Sequence, residues 1–277
     1  MEGLTLQDPD LSVHALQYVA RYDAMRLETY RLKENLVDRI RVSPLGPALA
    51  LRFDDVGYFN RVYSADPAIF ERLQAIEQFY SGSPFGCELV GPPANHLDGS
   101  GISRPGWTPA GRYAWMYGRD FSGGRLRSLP IPEATEFTIR SPQPSQQRLF
   151  LITYLRAFEA EPNRFPAALR NMAHLFDRPE LDFFMAWHGG KPAGVGMMMR
   201  CGSKALLCAG AALPEFREMG CHAALLAARI RLASESGCEE IYSWAVLGGQ
   251  SQTNMEKAGL CVVGTSTAWR LSPGRNA

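Results

Sequence analysis

An apolar run from Ala205 to Leu213 ends at Pro214 and gives way to Glu215-Phe216-Arg217-Glu218-Met219-Gly220. An alanine- and leucine-rich stretch follows, beginning Cys221-His222-Ala223-Ala224-Leu225-Leu226. The first segment reads as a strand and the last as a long helix. Proline stops the strand, and Gly220 supplies the tight turn into the helix. A strand, a glycine turn and a helix N-terminus aim several backbone N–H groups at one point. With the positive end of the helix dipole they make an anion site, typically for phosphate. No other segment of the chain has a local geometry that predicts a ligand.

The chain has 277 residues, enough for one large domain or two of about 140. Its formal net charge of +1 gives no electrostatic reason to expect nucleic acid or an acidic membrane surface. Arg119, Arg125 and Arg127 make one loop locally basic without the density of a binding tract. The first ten residues lack the apolar core of a signal peptide, and no run approaches the roughly 18 apolar residues of a membrane span. The six cysteines form no CxxC pair and no metal-ligand spacing with the histidines, so no metal is expected. Free thiols in a reducing cytoplasm are the simplest reading.

A faint duplication runs through the sequence. In one half a strand (59–65) leads to Asp66-Pro67, a helix (68–80), Ser81-Gly82 and a second strand starting at Gly86. In the other, the strand 205–213 leads to Pro214, a helix (220–236), Gly237 and a strand starting at Cys238. Pro67 and Pro214 are 147 residues apart, Gly86 and Gly237 151, and Trp115 and Trp269 154. This near-constant offset predicts two related modules in tandem. Gly, Ser and Pro cluster in Ser122 to Glu136 and place the boundary there, giving modules 1–133 and 134–277. The second module reads β-α-α-β-β-β-α-β-α-β: strand 136–140, helices 147–160 and 166–176, strands 182–188, 194–201 and 205–213, helix 220–236, strand 240–246, helix 251–258 and strand 262–270. The fold class is therefore α/β, with a central mixed twisted sheet flanked by helices.

That order, together with the loop, resembles the GNAT superfamily of acetyl-CoA-dependent N-acetyltransferases. The family's loop pattern is Gln/Arg-x-x-Gly-x-Gly/Ala, whose positions here hold Arg217, Gly220 and, as a departure, His222. A second family pattern, Asn-x-x-Ala/Ser-x-x-x-Tyr-x-Lys-x-Gly-Phe, is half intact. Ser251, Lys257 and Gly259 match it, while Gly248, Met255 and Leu260 replace the Asn, Tyr and Phe. The resemblance covers about 136–272 well and the first 121 residues faintly.

The resemblance implies acetyl-CoA as co-substrate and an amine as acceptor. It assigns Ala211, Ala212 and Leu213 to the pantetheine by strand addition. It gives the backbone N–H groups of Glu218, Met219, Gly220, Cys221, His222 and Ala223 to the pyrophosphate, with Arg217 as a nearby charge. Ser251 would offer a hydroxyl near the pantetheine arm. The first module has no glycine after Asp66-Pro67 and reads as a degenerate partner without a CoA loop. Many family members donate a proton to the departing thiolate from the tyrosine that is Met255 here. Ser251 and Tyr242 are the substitute candidates, with Cys261 behind them, and Ser251 could equally cap the following helix. The acceptor is expected to be a small molecule and the location cytoplasmic; no nucleic acid and no membrane are expected as partners, and a homodimer is allowed. A non-catalytic acyl-CoA sensor is the alternative.

Overall fold

The computed structural model describes residues 9–93, 102–119 and 136–273. Asn95 and His96 of the first module's polar loop, Arg125, Arg127 and the expected boundary at 133/134 lie outside them. In chain order the elements are α1 (Pro9–Lys33), β1 (Ile40–Leu45), β2 (Ala48–Phe53), β3 (Arg61–Ser64), α2 (Leu73–Phe79), β4 (Cys87–Val90) and β5 (Trp107–Arg119). They continue with β6 (Phe137–Arg140), α3 (Gln147–Ala157), α4 (Phe165–Ala173), β7 (Leu181–His188), β8 (Lys191–Cys201) and β9 (Lys204–Ala212). The last are α5 (Cys221–Glu235), β10 (Glu240–Val246), α6 (Gln250–Lys257) and β11 (Cys261–Leu271). From β6 onward this is the expected order. Among the described residues no helix is long and apolar enough to cross a membrane.

Two compact units emerge, and they interleave along the chain. The first holds residues 1–115, 244–247 and 262–277; the second holds 116–243 and 248–261. Strands β5, β10 and β11 therefore each contribute residues to both.

In the first unit the strands run in the order β1-β2-β3-β4-β11-β5. The β2 sequence ALALRF is buried almost throughout because both faces of this sheet are covered. Ala48, Ala50, Val62 and Leu89 pack with Ile69, Leu73, Ile76 and Tyr80 from the α2 side. The alternate residues meet α1, as when Tyr63 donates from its hydroxyl to Asp23 at 2.7 Å. Successive strand residues point to opposite faces, so both sides of the sheet are served by one short sequence.

The second unit runs β10-β9-β8-β7-β6. Phe183 of β7 meets Phe150 of α3 edge to face, with ring centroids 5.5 Å apart. Gly196 of β8, on the other face, lies under Arg229 of α5. Met197, Met198 and Met199 are all buried in the core of this unit.

Among the described residues each unit contains a parallel pair joined through a helix: β3 and β4 through α2, β9 and β10 through α5. The ladders start alike. Arg61 faces Glu88 in register, and Lys204 faces Glu240. Both pairs are ion pairs, at 3.4 and 2.8 Å. In both, a tyrosine of β5 donates to the glutamate: Tyr113 to Glu88 at 3.0 Å and Tyr117 to Glu240 at 3.2 Å. A shared register, charge pair and tyrosine are stronger marks of internal repetition than the sequence offsets.

The first unit also depends on a close approach. A Cβ built on Gly86, just before β4, would lie 1.6 Å from the carbonyl oxygen of Leu271 in β11. Backbone cannot move aside as a flexible side chain would. Gly86→Ala is expected to destabilise the protein by about 1–3 kcal/mol, visible as a lower urea midpoint. An unchanged midpoint would mean that the two strands are farther apart than described.

Candidate functional site

The pairing of β9 changes character halfway along. Its parallel ladder with β10 extends over Lys204↔Glu240, Ala205↔Ile241 and Leu206↔Tyr242. Ser243 then closes the pair by donating its hydroxyl to the Leu207 carbonyl at 2.8 Å. Residues Ala205 to Cys208 are buried, as a central strand requires, whereas Ala209, Gly210 and Ala211 become half-buried. On the other side, β8 pairs Met197 with Cys208 but Val195 with Ala211, so β9 carries an extra residue there. Ala209 takes φ +46°, a left-handed conformation that non-glycine residues adopt rarely. A bulge thus coincides with the end of the ladder, and the backbone of Ala209 to Ala211 is open in mid-sheet.

The loop after β9 is anchored at both ends. The Leu213 N–H donates to the Ala193 carbonyl at 2.8 Å, and Pro214–Phe216 form a single 3-10 turn. Glu218 (φ +63°) and Gly220 (φ +88°) are both left-handed, a geometry from which backbone anion nests are built. Gly220 is the N-cap of α5, a helix of 15 residues. Its missing side chain faces open space, with nothing within 4 Å of a Cβ placed there. The first turn of α5 leaves N–H groups with no partner inside the helix. The turn before α5 thus has a left-handed glycine at the N-cap and open space on its outer side.

Two side chains sit differently from expectation. Arg217 turns away from the helix N-terminus: its guanidinium donates to the Ala157 carbonyl at 3.3 Å and pairs with Glu159 at 2.6 Å. It ties the loop to the carboxyl end of α3, where a cation also suits the helix dipole. His222 is half-buried instead of exposed, and Asn254 of α6 donates its amide to the imidazole Nδ1 at 3.2 Å. Burial, and then the nearby Arg229 charge, lower its pKa to about 4, so it is neutral at pH 7. Cys221 is buried, which pushes its thiol up to about 12 despite its place at a helix start. It is an inert packing residue under Gly194, whose Cβ would come within 2.9 Å of the sulfur.

Ser251 is the second residue of α6, and Gly249 holds the N-cap in its place. Among the described residues the Ser251 hydroxyl has no hydrogen-bond partner. Tyr242 is fully buried and donates its hydroxyl to Glu240 at 3.0 Å. Burial alone would raise the Glu240 carboxyl, but hydrogen bonds from Lys204, Tyr242 and Tyr117 together hold it below the ordinary range. A tyrosine whose proton serves this carboxylate is not poised to release it. Cys261 donates to the Tyr117 carbonyl at 3.4 Å, and burial raises its thiol. Met255 is buried in the core.

A groove of about 780 Å³ lies between α3 and α4, lined by Leu151, Ile152, Phe165 and Leu169 with Arg148 and Arg170. None of its residues belongs to β9 or to the loop that follows it.

One residue that sequence reasoning missed is Arg229, on the buried face of α5 and 1% exposed. Its Nε donates to the Leu225 carbonyl at 3.1 Å, and its Nη1 makes longer contacts to the carbonyls of Met197 and Cys208, at 3.5 and 3.4 Å. These are carbonyls at the two sides of the bulge. An arginine within the alanine- and leucine-rich run of α5, with Arg231 two residues on and exposed, was the available signal.

A family described as an acetyltransferase (GNAT) domain matches residues 137–250. Among solved structures, a conserved protein of unknown function from Staphylococcus epidermidis superposes with a TM-score of 0.64 at 12% identity, covering 87% of this chain and 97% of its own. A GCN5-related N-acetyltransferase from Kribbella flavida gives 0.58 at 18% identity, covering 92% and 95%. A tandem GNAT protein from the clavulanic acid biosynthesis pathway gives 0.57 at 11%, covering 83% and 79%. No curated protein sequence matches the chain.

The neutral His222 predicts acid lability. Its pKa is about 4 in the folded protein against an ordinary 6.5. The unfolded chain therefore takes up this proton first as pH falls. Stability supplied by the neutral ring is complete above pH 6.5 and is lost progressively towards pH 4, by on the order of 2–3 kcal/mol. His222→Gln is expected to flatten the melting temperature between these pH values. An equally steep profile in the variant would show that other groups carry it.

Proposed function

We propose that this chain, a member of the GNAT acetyltransferase superfamily through residues 137–250 and an acyltransferase by that membership, transfers an acetyl group from acetyl-CoA to an amine of a small molecule. The observation that carries the reading is the coincidence, along one strand and its loop, of an open backbone segment (209–211) with a glycine-capped helix N-terminus. Diphosphate and pantetheine need those two features in that order.

In this reading the N–H groups of Glu218 to Ala223 take the pyrophosphate, while Ala211, Ala212 and Leu213 pair with the pantetheine amides. Arg217 acts by fastening the loop to α3. Ser251, with its unengaged hydroxyl, is the polar group offered to the arm. Residues 134–277 carry the donor site. In the other half, the carboxylate of Asp66 accepts from the Ala68 N–H at 2.9 Å at the start of the corresponding crossover. An internal anion so placed supports the reading of that half as lacking a CoA site.

Transfer requires a neutral amine, a polarised thioester carbonyl and stabilisation of the departing thiolate. With Met255 buried and Tyr242 bound to Glu240, neither supplies a proton. Proximity and backbone N–H groups must then carry much of the rate. The replacement of the family's usual proton donor by Met255 favours the second reading, a non-catalytic acyl-CoA sensor.

Calorimetric titration with acetyl-CoA is expected to show binding in the micromolar to millimolar range, and no heat at millimolar ligand would reject both readings. Release of free thiol with a panel of amines separates enzyme from sensor. Gly220→Glu, which sets a carboxylate against the diphosphate at a position where φ is +88°, is expected to abolish binding. Retained affinity in that variant would reject the loop as the anion site.

A further inference from the structure

Arg229 is a fully buried arginine whose described polar contacts are all carbonyl oxygens of Leu225, Met197 and Cys208. Its Nη2 has no hydrogen-bond partner among the described residues. Burial lowers its pKa to about 10, which still leaves the charge in place at pH 7. A buried cation without a counter-ion is costly, and natural structures retain few buried donors without partners. The surroundings are fitted to it. A Cβ on Gly210 would come within 2.6 Å of Nη2, and one on Gly196 within 3.1 Å of Nε. Both strands have given up their side chains where the guanidinium lies.

The position matters as much as the burial. Gly210 follows Ala209, the left-handed residue of the β9 bulge. If the diphosphate sits at 218–223 and the arm runs back along Leu213 to Ala211, the thioester arrives beside Ala209 and Gly210. From the side of α5, Arg229 fills the break that the bulge opens between β8 and β9.

We infer that Arg229 is a positioning residue for acyl transfer: through its carbonyl contacts it holds the Ala209–Gly210 bulge in its reactive shape, and its fixed charge lies behind the thioester. The inference rests on the acyl-CoA reading of β9 and its loop. In the reaction, the neutral amine nitrogen attacks the thioester carbonyl carbon. A C–N bond forms and the carbonyl π pair moves to oxygen. When the tetrahedral species collapses, the C–S bond breaks and its electron pair leaves on sulfur as CoA thiolate. The extra amine proton passes to solvent. The products are an amide, CoA thiolate and a proton. Negative charge develops first on oxygen and then on sulfur, and a preorganised positive charge nearby stabilises both without moving a proton. It offsets the missing tyrosine electrostatically.

The test compares the intact wild-type chain with Arg229→Lys, Arg229→Met and Gly210→Ala. The last keeps the charge but displaces the guanidinium. Acetyl-CoA affinity is measured by calorimetry, kcat and KM by thiol release, and folding by thermal melting. Gly210→Ala and Arg229→Met are expected to bind acetyl-CoA within about threefold of wild type while kcat falls on the order of tenfold to a hundredfold. Arg229→Lys should recover a large part of that loss. If Arg229→Met fails to fold, Gly210→Ala and Arg229→Lys decide the matter. Binding with unchanged kcat in those two would overturn the positioning role alone. Absence of binding by the wild-type protein would overturn the acyl-CoA reading on which it stands.

Discussion

Only three residue pairs hold β9 against β10. A longer parallel ladder would bury the backbone of Ala209 to Ala211 completely and leave a central strand with nothing to offer a ligand. Because the ladder stops at Leu206 and Tyr242, the strand keeps buried side chains at its start and open peptide groups at its end. Ser243, bonded to the Leu207 carbonyl, marks the point of separation. The bulge, the glycine-capped helix and the buried guanidinium all follow within the next few residues of β9 or pack directly on it. An extended ligand with amides and a charged end is the chemistry such a strand can accept.

The second half of the fold was legible because its elements announce themselves. Strands 182–188, 194–201 and 205–213 are apolar runs separated by glycine turns, and the helix of α5 is rich in alanine and leucine. The start of the chain was not legible in that way. Helix α1 buries Ser12, Asp23, Arg26 and Thr29 alongside its apolar residues, so its inner face shows no clean stripe. The glycine turn into α5 could be read because Gly220 and the helix start are local features. Arg217 and His222 could not be placed, because Glu159 and Asn254, their partners, are set by tertiary packing. Sequence spacing tells which residues share a strand or loop, but not which neighbour has already claimed their protons.

The two parallel pairs show what a repeated module retains. The ion pair at the ladder start and the tyrosine on its glutamate persist in both halves, as Arg61–Glu88–Tyr113 and Lys204–Glu240–Tyr117. These groups stabilise a parallel strand start wherever one is needed. What differs is the crossover entrance. One half places Asp66 there, and the other a left-handed glycine with open space around it.

The interleaving of the two units bears on how the chain reaches its native state. The sheet of the first unit includes β11, with Leu271 paired to Cys87 and Ala268 to Val90. Strands β1 to β4 can pair with one another soon after they are made, yet the neighbour of β4 lies some 180 residues farther along the sequence. During synthesis the edge of β4 must therefore wait, unpaired, while the entire second unit is translated. Loop closure over that distance is slow, and an exposed strand edge invites wrong partners. The Arg61–Glu88 pair beside that edge, which keeps charge at the flank of β4, would then serve the nascent chain as well as the finished one.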